Sequence, residues 1–170
     1  PAGLVFGGGD PTTGATESWN GTTWYEVNDL NQVRTSLSGF GTQAAAVAVG
    51  GETDLTNTET WNGSIWTETN DLNTGRSALA SAGIQTSGLA FGGSDATVAT
   101  ASTEEWNANI AVGAWITGNN LNTARAAGGA AGTQTAALIF GGSPVPPLTG
   151  GAQTESYDGT SWYEVNDLNT

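Results

Sequence analysis

Four times along the chain a short apolar run ends in a pair of glycines. The runs are Gly3-Leu4-Val5-Phe6-Gly7-Gly8, Ala46-Val47-Ala48-Val49-Gly50-Gly51, Gly88-Leu89-Ala90-Phe91-Gly92-Gly93 and Ala137-Leu138-Ile139-Phe140-Gly141-Gly142. A second motif follows each pair: Thr16-Glu17-Ser18-Trp19, Thr58-Glu59-Thr60-Trp61, Thr103-Glu104-Glu105-Trp106 and Thr154-Glu155-Ser156-Tyr157. A third aromatic comes next, at Trp24, Trp66, Trp115 and Trp162, and an Asn-rich tract then closes the unit. The period, read at the first glycine of each pair, is 42 to 49 residues and widens at the last spacing by insertion. Self-similarity of this kind constrains architecture more than any single residue, because each unit must bury its apolar face against the next.

Each unit reads as four short strands. Short apolar runs bounded by glycine are buried strands. The inner strand is expected at residues 35–40, 77–82 and 126–131, followed by the apolar run, the Thr-Glu strand and a last strand opening on the third aromatic. Asn20-Gly21, Asn62-Gly63 and Asp158-Gly159 separate the last two strands and predict type I′ turns, with positive φ at both central residues. The third repeat carries a longer loop there, residues 107–113. No segment combines helical periodicity with helix caps. Four-stranded units at this period predict an all-β fold of propeller blades. The units are residues 1–34, 35–76, 77–125 and 126–170, about four blades with the first incomplete. It opens on a second-type strand, which predicts a larger ring completed by another copy of the chain or by more of the same parent chain. With no Met in the sequence, Pro1 reads as the start of a processed or excised piece.

The chain's three basic residues, Arg34, Arg76 and Arg125, share one phase of the repeat, just after the Asn-rich tract. Each repeat also supplies one Glu: Glu17, Glu59, Glu104 and Glu155. A bidentate Arg–carboxylate pair between blades is the expected use of both, with Glu105 an alternative partner in the third repeat. Four glutamates face three arginines, and the unmatched one belongs to the incomplete unit.

Sixteen Asp and Glu against three Arg argue against nucleic acid and against anionic membrane surfaces. The chain has no Cys and no His, which excludes disulfides, zinc–thiolate sites and catalytic triads built on His. No apolar run spans a bilayer, and no signal-peptide pattern is read. The glycine pairs precede no helix and no Lys, so they do not form a phosphate loop. No cofactor is implied.

Recurrence of the aromatics in every unit assigns Trp19, Trp61, Trp106, Tyr157 and the third-position tryptophans to packing between sheets rather than to sugar stacking. Tyr25 and Tyr163 occur in only two repeats and point outward as candidate contact residues. Strand order sorts the loops onto two faces. One gathers the longer loops, residues 9–15, 52–57, 94–102 and 143–153, with the Asn-rich tracts. Asp10, Asp54 and Asp95 are the candidate binding residues on it. Clustered carboxylates there are either a solvated acidic rim or a hard-cation site, although no loop has the alternating Asp spacing of a calcium loop. Ser156-Tyr157-Asp158-Gly159-Thr160-Ser161-Trp162 differs from a sialidase Asp box in having its Asp and Gly adjacent instead of separated, and reads as a structural turn. Asn20-Gly21-Thr22 and Asn62-Gly63-Ser64 fit glycosylation acceptors, and hairpin turns account for both.

The glycine pair after an apolar strand, the aromatic pair and the Arg between units together resemble the Kelch repeat over the whole chain. The copper-dependent Kelch oxidases use Cys, Tyr and His, so that activity does not transfer to a chain without Cys and His. Strands rich in Thr, Asn and Gly, without Lys or Cys, resemble bacterial or phage-type surface proteins and imply an extracellular or virion-surface setting. The functional expectation is a non-enzymatic binding or structural module, contacting protein or glycan through its loop face and assembling as a homo-oligomer, a dimer that completes the propeller. One alternative is a glycosidase-like enzyme using loop carboxylates. The other is a trimmed or engineered repeat fragment.

Overall fold

The computed structural model describes residues 2–95, 97–109, 113–144 and 151–169. Parts of the loops at residues 94–102, 107–113 and 143–153 lie outside them. The described residues form only strands, turns and irregular connections. Blade 1 has three strands, β1 (Gly3–Phe6), β2 (Thr16–Trp19) and β3 (Trp24–Val27), in that order. Blade 2 runs β4 (Ser38–Thr42), β5 (Ala45–Val49), β6 (Thr58–Trp61) and β7 (Trp66–Glu68). Blade 3 runs β8 (Ala80–Ile84), β9 (Ser87–Phe91), β10 (Thr103–Asn107) and β11 (Ala114–Thr117). Blade 4 runs β12 (Gly129–Thr133), β13 (Ala136–Phe140), β14 (Thr154–Tyr157) and β15 (Trp162–Val165). All pairings are antiparallel and in sequence order, so each blade is a meander. The fold is an all-β, propeller-like array of about four blades, the first incomplete.

The inner strands begin three residues later than expected. Ser36, Ala78 and Ala127, each two residues after its Arg, have φ of 56°, 49° and 56°. An L-residue in the left-handed region cannot continue an extended ladder. The backbone there instead bonds sideways: Ala78 N–H donates to Ser36 O at 2.9 Å and Ala127 N–H to Ala78 O at 2.8 Å, tying neighbouring blades together near their inner strands.

The outer hairpins also differ from type I′. Gly21, Gly63 and Gly159 have positive φ, but the Asn or Asp before each does not. The loops hold four residues, since Trp19 pairs with Trp24. Asn20 Oδ1 accepts from the N–H groups of Thr22 at 2.9 Å and Thr23 at 3.0 Å. The side chain therefore closes the turn as an Asx motif. Asp158 does the same with Thr160 and Ser161, and those bonds hold its carboxyl below the usual range.

The blades stack through two unlike faces. One face carries the aromatic pair and the alternate residues of the second strand. In blade 2 these are Ala46, Ala48, Trp61 and Trp66, which pack with Leu4, Phe6 and Val27 of blade 1. Phe40, Val47 and Val49, on the other face of blade 2, meet Ala90, Trp106 and Trp115 of blade 3. Leu89 and Phe91 of blade 3 meet Ile139, Tyr157 and Trp162 of blade 4. Because one period-2 pattern feeds both faces, the second strand of each blade is apolar on both sides, Ser87 at the start of β9 excepted.

Candidate functional site

Each arginine bridges two blades. Gly8 N–H of blade 1 donates to the Arg34 carbonyl at 2.8 Å, and Gly51 and Gly93 do so to Arg76 and Arg125. A Cβ on Gly7 would lie 2.9 Å from Arg34 O, and one on Gly50 2.6 Å from Arg76 O. Gly7 and Gly50 are thus needed for close approach as well as for their positive φ of 63° and 67°. The side chain then reaches the following blade. Arg34 Nη2 lies 3.1 Å from Glu59 Oε1, Arg76 Nη2 3.1 Å from Glu104 Oε1, and Arg125 Nη2 2.6 Å from Glu155 Oε1.

The pair is not bidentate. Glu59 Oε2 accepts instead from the backbone N–H and Nδ2 of Asn31, both at 2.8 Å, and Asn73 and Asn122 hold Glu104 and Glu155 alike. The second guanidinium nitrogen donates to carbonyls: Arg34 Nη1 to Gly50 O and Asn57 O, Arg76 Nη1 to Ser102 O, Arg125 Nη1 to Gln153 O. Burial pushes the Arg34 and Arg76 guanidinium groups below their ordinary value, and the facing Glu59 and Glu104 oppose that shift. Fixed donors and acceptors offset most of each charge, which a buried ion pair requires, although Arg34 Nε and Arg76 Nε are buried without a hydrogen-bond partner.

The Asn residues of the tract take part in the clasp as well as in the backbone path. Asp29 and Asp71 reach back 13 residues to the start of the Thr-Glu strand of their own blade, accepting from Thr16 N–H and Thr58 N–H at 3.1 Å. Asn31, Asn73 and Asn122 hold carboxylates of the next blade. The first Asn of the first and third tracts also crosses a boundary: Asn28 Nδ2 donates to Ser64 O and Asn119 Nδ2 to Thr160 O, in the outer turns of the following blades. At the outer edge the two expected loop faces therefore meet. Gln43 and Gln134 likewise donate to the main chain of the preceding blade at Trp19 and Trp106. The indole N–H groups of Trp66, Trp115 and Trp162 donate to Thr16, Thr58 and Thr103 of the blade before. In blade 3 Glu105 is not the arginine's partner. It accepts at 2.8 Å from the hydroxyl of Tyr157, the one Tyr where other repeats have Trp. Burial and the Glu105 carboxylate push that phenol up.

The candidate binding residues are spread out. Asp10 and Asp95 are exposed on their loops. Asp54 is half-buried at φ 56°, and its carbonyl stands where a Cβ on Gly75 would go, so this loop packs onto the next tract. Among the described residues no three acidic groups gather as a metal set. Tyr25 and Tyr163 are exposed, on the outer strands of blades 1 and 4, and are not brought together.

Blade 1 departs from the rest. Glu17, unlike Glu59, Glu104 and Glu155, is exposed. Trp24 is 47% exposed where Trp66 and Trp115 are 4% and 6%. Beside it, β1 and β4 line a groove of about 450 Å³, with Leu4, Phe6, Leu37, Phe40 and Gln43 on its walls.

No family model matches the chain, and no curated protein does. Solved structures do match. One, titled "Structure of YjhT", superposes with a TM-score of 0.80 at 11% sequence identity, covering 99% of this chain and 68% of that one. At that identity the likeness is one of fold, and it agrees with the blade architecture described above.

Proposed function

We propose that the chain is a Kelch-like, non-enzymatic binding and structural module that associates with another copy through its two outermost blade faces. It contacts protein or glycan through the loops carrying Asp10, Asp54 and Asp95 and through Tyr25 and Tyr163. An extracellular or virion-surface setting fits this reading.

The observation that carries it is the pair of uncovered faces at opposite ends of the array. Trp24 and Val5 are exposed on the aromatic face of blade 1. Leu138, on the opposite face of blade 4, is 41% exposed where its counterpart Leu89 is fully buried. These are the two halves of a joint that occurs three times within the chain. Residues 166–169 repeat the Asn-rich tract, and Leu168 N–H donates to Ala152 O at 2.8 Å as Leu30 N–H does to Gly14 O at 2.9 Å. Such a head-to-tail contact is heterologous, so it closes into a ring or propagates.

Light scattering tests the association: a mass that is a multiple of 17.1 kDa is expected. A particle of 17.1 kDa that melts cooperatively overturns it. A glycan array read for both retention and hydrolysis tests the absence of enzymatic activity, which turnover of any glycan overturns.

A further inference from the structure

We infer that Asn62 and Asn20 are modification sites, each converted to aspartate through a succinimide formed with the glycine that follows, and that the outer turns steer the ring to open as aspartate. This goes beyond the binding-module reading and holds whether or not copies associate.

The two residues head the exposed outer turns of blades 2 and 1, and they are the chain's Asn-Gly pairs. The reaction needs the main-chain nitrogen of the next residue to reach Cγ. Gly63 and Gly21, at φ 92° and 99°, carry no side chain to hinder that approach. Their N–H groups bond to no acceptor among the described residues. The leaving nitrogen is equally uncommitted. Asn62 Nδ2 donates to no acceptor among the described residues, and Asn20 Nδ2 only to the exposed Thr23 hydroxyl at 3.2 Å. Asn31, Asn73 and Asn122 differ: each Nδ2 is held by both a carboxylate and a carbonyl of the next blade.

The turn supplies the electrostatics. Asn62 Oδ1 accepts from the N–H groups of Ser64 and Ile65, both at 3.0 Å, as Asn20 Oδ1 does from Thr22 and Thr23. Two fixed donors on this oxygen stabilise the negative charge that develops there when Cγ is attacked. In the first step the bond from Gly63 N to Cγ forms and the Cγ–Nδ2 bond breaks. Ammonia leaves with the proton that Gly63 N gives up. In the second step water opens the ring. Attack at Cγ breaks its bond to Gly63 N and gives aspartate, whereas attack at the main-chain carbonyl carbon of residue 62 gives isoaspartate. The two donors polarise the Cγ carbonyl and so favour the aspartate branch.

Blade 4 already carries the product. Asp158 stands at the same turn position, and its Oδ1 accepts from Thr160 and Ser161 N–H, both at 2.9 Å. An aspartate at 62 or 20 inherits the same donors and adds one negative charge to a formal net charge of −13. Isoaspartate fits poorly. It adds a main-chain carbon to a short loop whose flanking residues, Trp61 and Trp66, are paired. That loop is also tied down by Asn28 Nδ2, which donates to Ser64 O at 2.8 Å.

The test incubates the 170-residue chain and a synthetic peptide of residues 58–67 side by side in warm, mildly alkaline buffer. Both are followed by peptide mass spectrometry, after chromatography that separates aspartate from isoaspartate. In the chain, Asn62 and Asn20 should convert at least about tenfold faster than Asn31, Asn73 and Asn122. The ratio of aspartate to isoaspartate at position 62 should be at least about threefold higher in the chain than in the peptide. The Asn62→Asp protein should unfold at the parent's urea midpoint. The proposal is overturned by an Asn62 that stays intact in the chain while the peptide converts, by a ratio equal to the peptide's, or by an Asn62→Asp protein that unfolds earlier than the parent.

Discussion

Blades 1 and 3 carry the same motifs and meet different fates. In blade 3 the Thr-Glu strand is held on both sides: Glu104 faces Arg76 and Asn73, Trp115 donates to Thr58 behind it, and Trp162 donates to Thr103 from ahead. In blade 1 Thr16 is buried under Trp66 of blade 2, while Glu17 and Trp24 face outward. The difference teaches that the repeat motif is a joint and not a self-contained unit. A glutamate in this motif becomes a buried charge only when another segment brings an Arg and an Asn to it.

The comparison breaks most visibly at the ion pair. Replacing Arg76 by Ala leaves Glu104 buried without its cation, and urea unfolding should show a loss of about 3–5 kcal/mol. Replacing Glu17 by Ala should leave the denaturation midpoint where it was. Equal effects at the two positions would mean that the clasp contributes nothing as a buried pair.

A smaller contrast sits at the indoles. Trp115→Phe removes the donor to the buried Thr58 hydroxyl at 3.0 Å and part of the packing against Phe40, and should cost about 1–3 kcal/mol in the same measurement. Trp24→Phe, on the open face, should cost well under half as much.

The smallest contrast is one of pH. The Tyr157 phenol is raised above its ordinary value of 10.0 by burial and by Glu105. A raised phenol favours the neutral form in the folded chain. Its contribution is intact below about pH 10, where both states hold the proton, and falls at higher pH as the unfolded chain ionises first. Urea midpoints measured at pH 9 and pH 11 should therefore diverge for the parent and converge for Tyr157→Phe.

Much of this arrangement was legible in the residues. The spacing of the glycine pairs counts the blades, and the shared phase of Arg34, Arg76 and Arg125 marks them as parts of the joint. The recurrence of Asn31, Asn73 and Asn122 was a further signal, but Asn serves turns as readily as carboxylate contacts, so its role was not legible from the residues. Glu105 and Tyr157 depart from the pattern in adjacent repeats and touch, a pairing that a search for coincident departures would find. The late start of the inner strands had no such signal. Ser36, Ala78 and Ala127 have no intrinsic preference for positive φ, and the lateral bonds between neighbouring blades hold them there. The binding residues were least legible, since Asp54 and Tyr25 are ordinary loop and strand residues until the packing around them is known.

The sequence by itself determined the architecture: the all-β class, the blade count, the incomplete first unit and the residues available for each joint. Those follow from local pattern, because alternation and glycine placement act over a few residues. The tertiary structure alone decided which carboxylate each arginine takes. Arg34 has Glu17 on one side of it in sequence and Glu59 on the other. Its carbonyl is pinned by Gly8 of blade 1, and its guanidinium extends to Glu59 of blade 2, 25 residues on. A contact over that separation is set by how blades dock, and docking depends on faces that no single repeat contains.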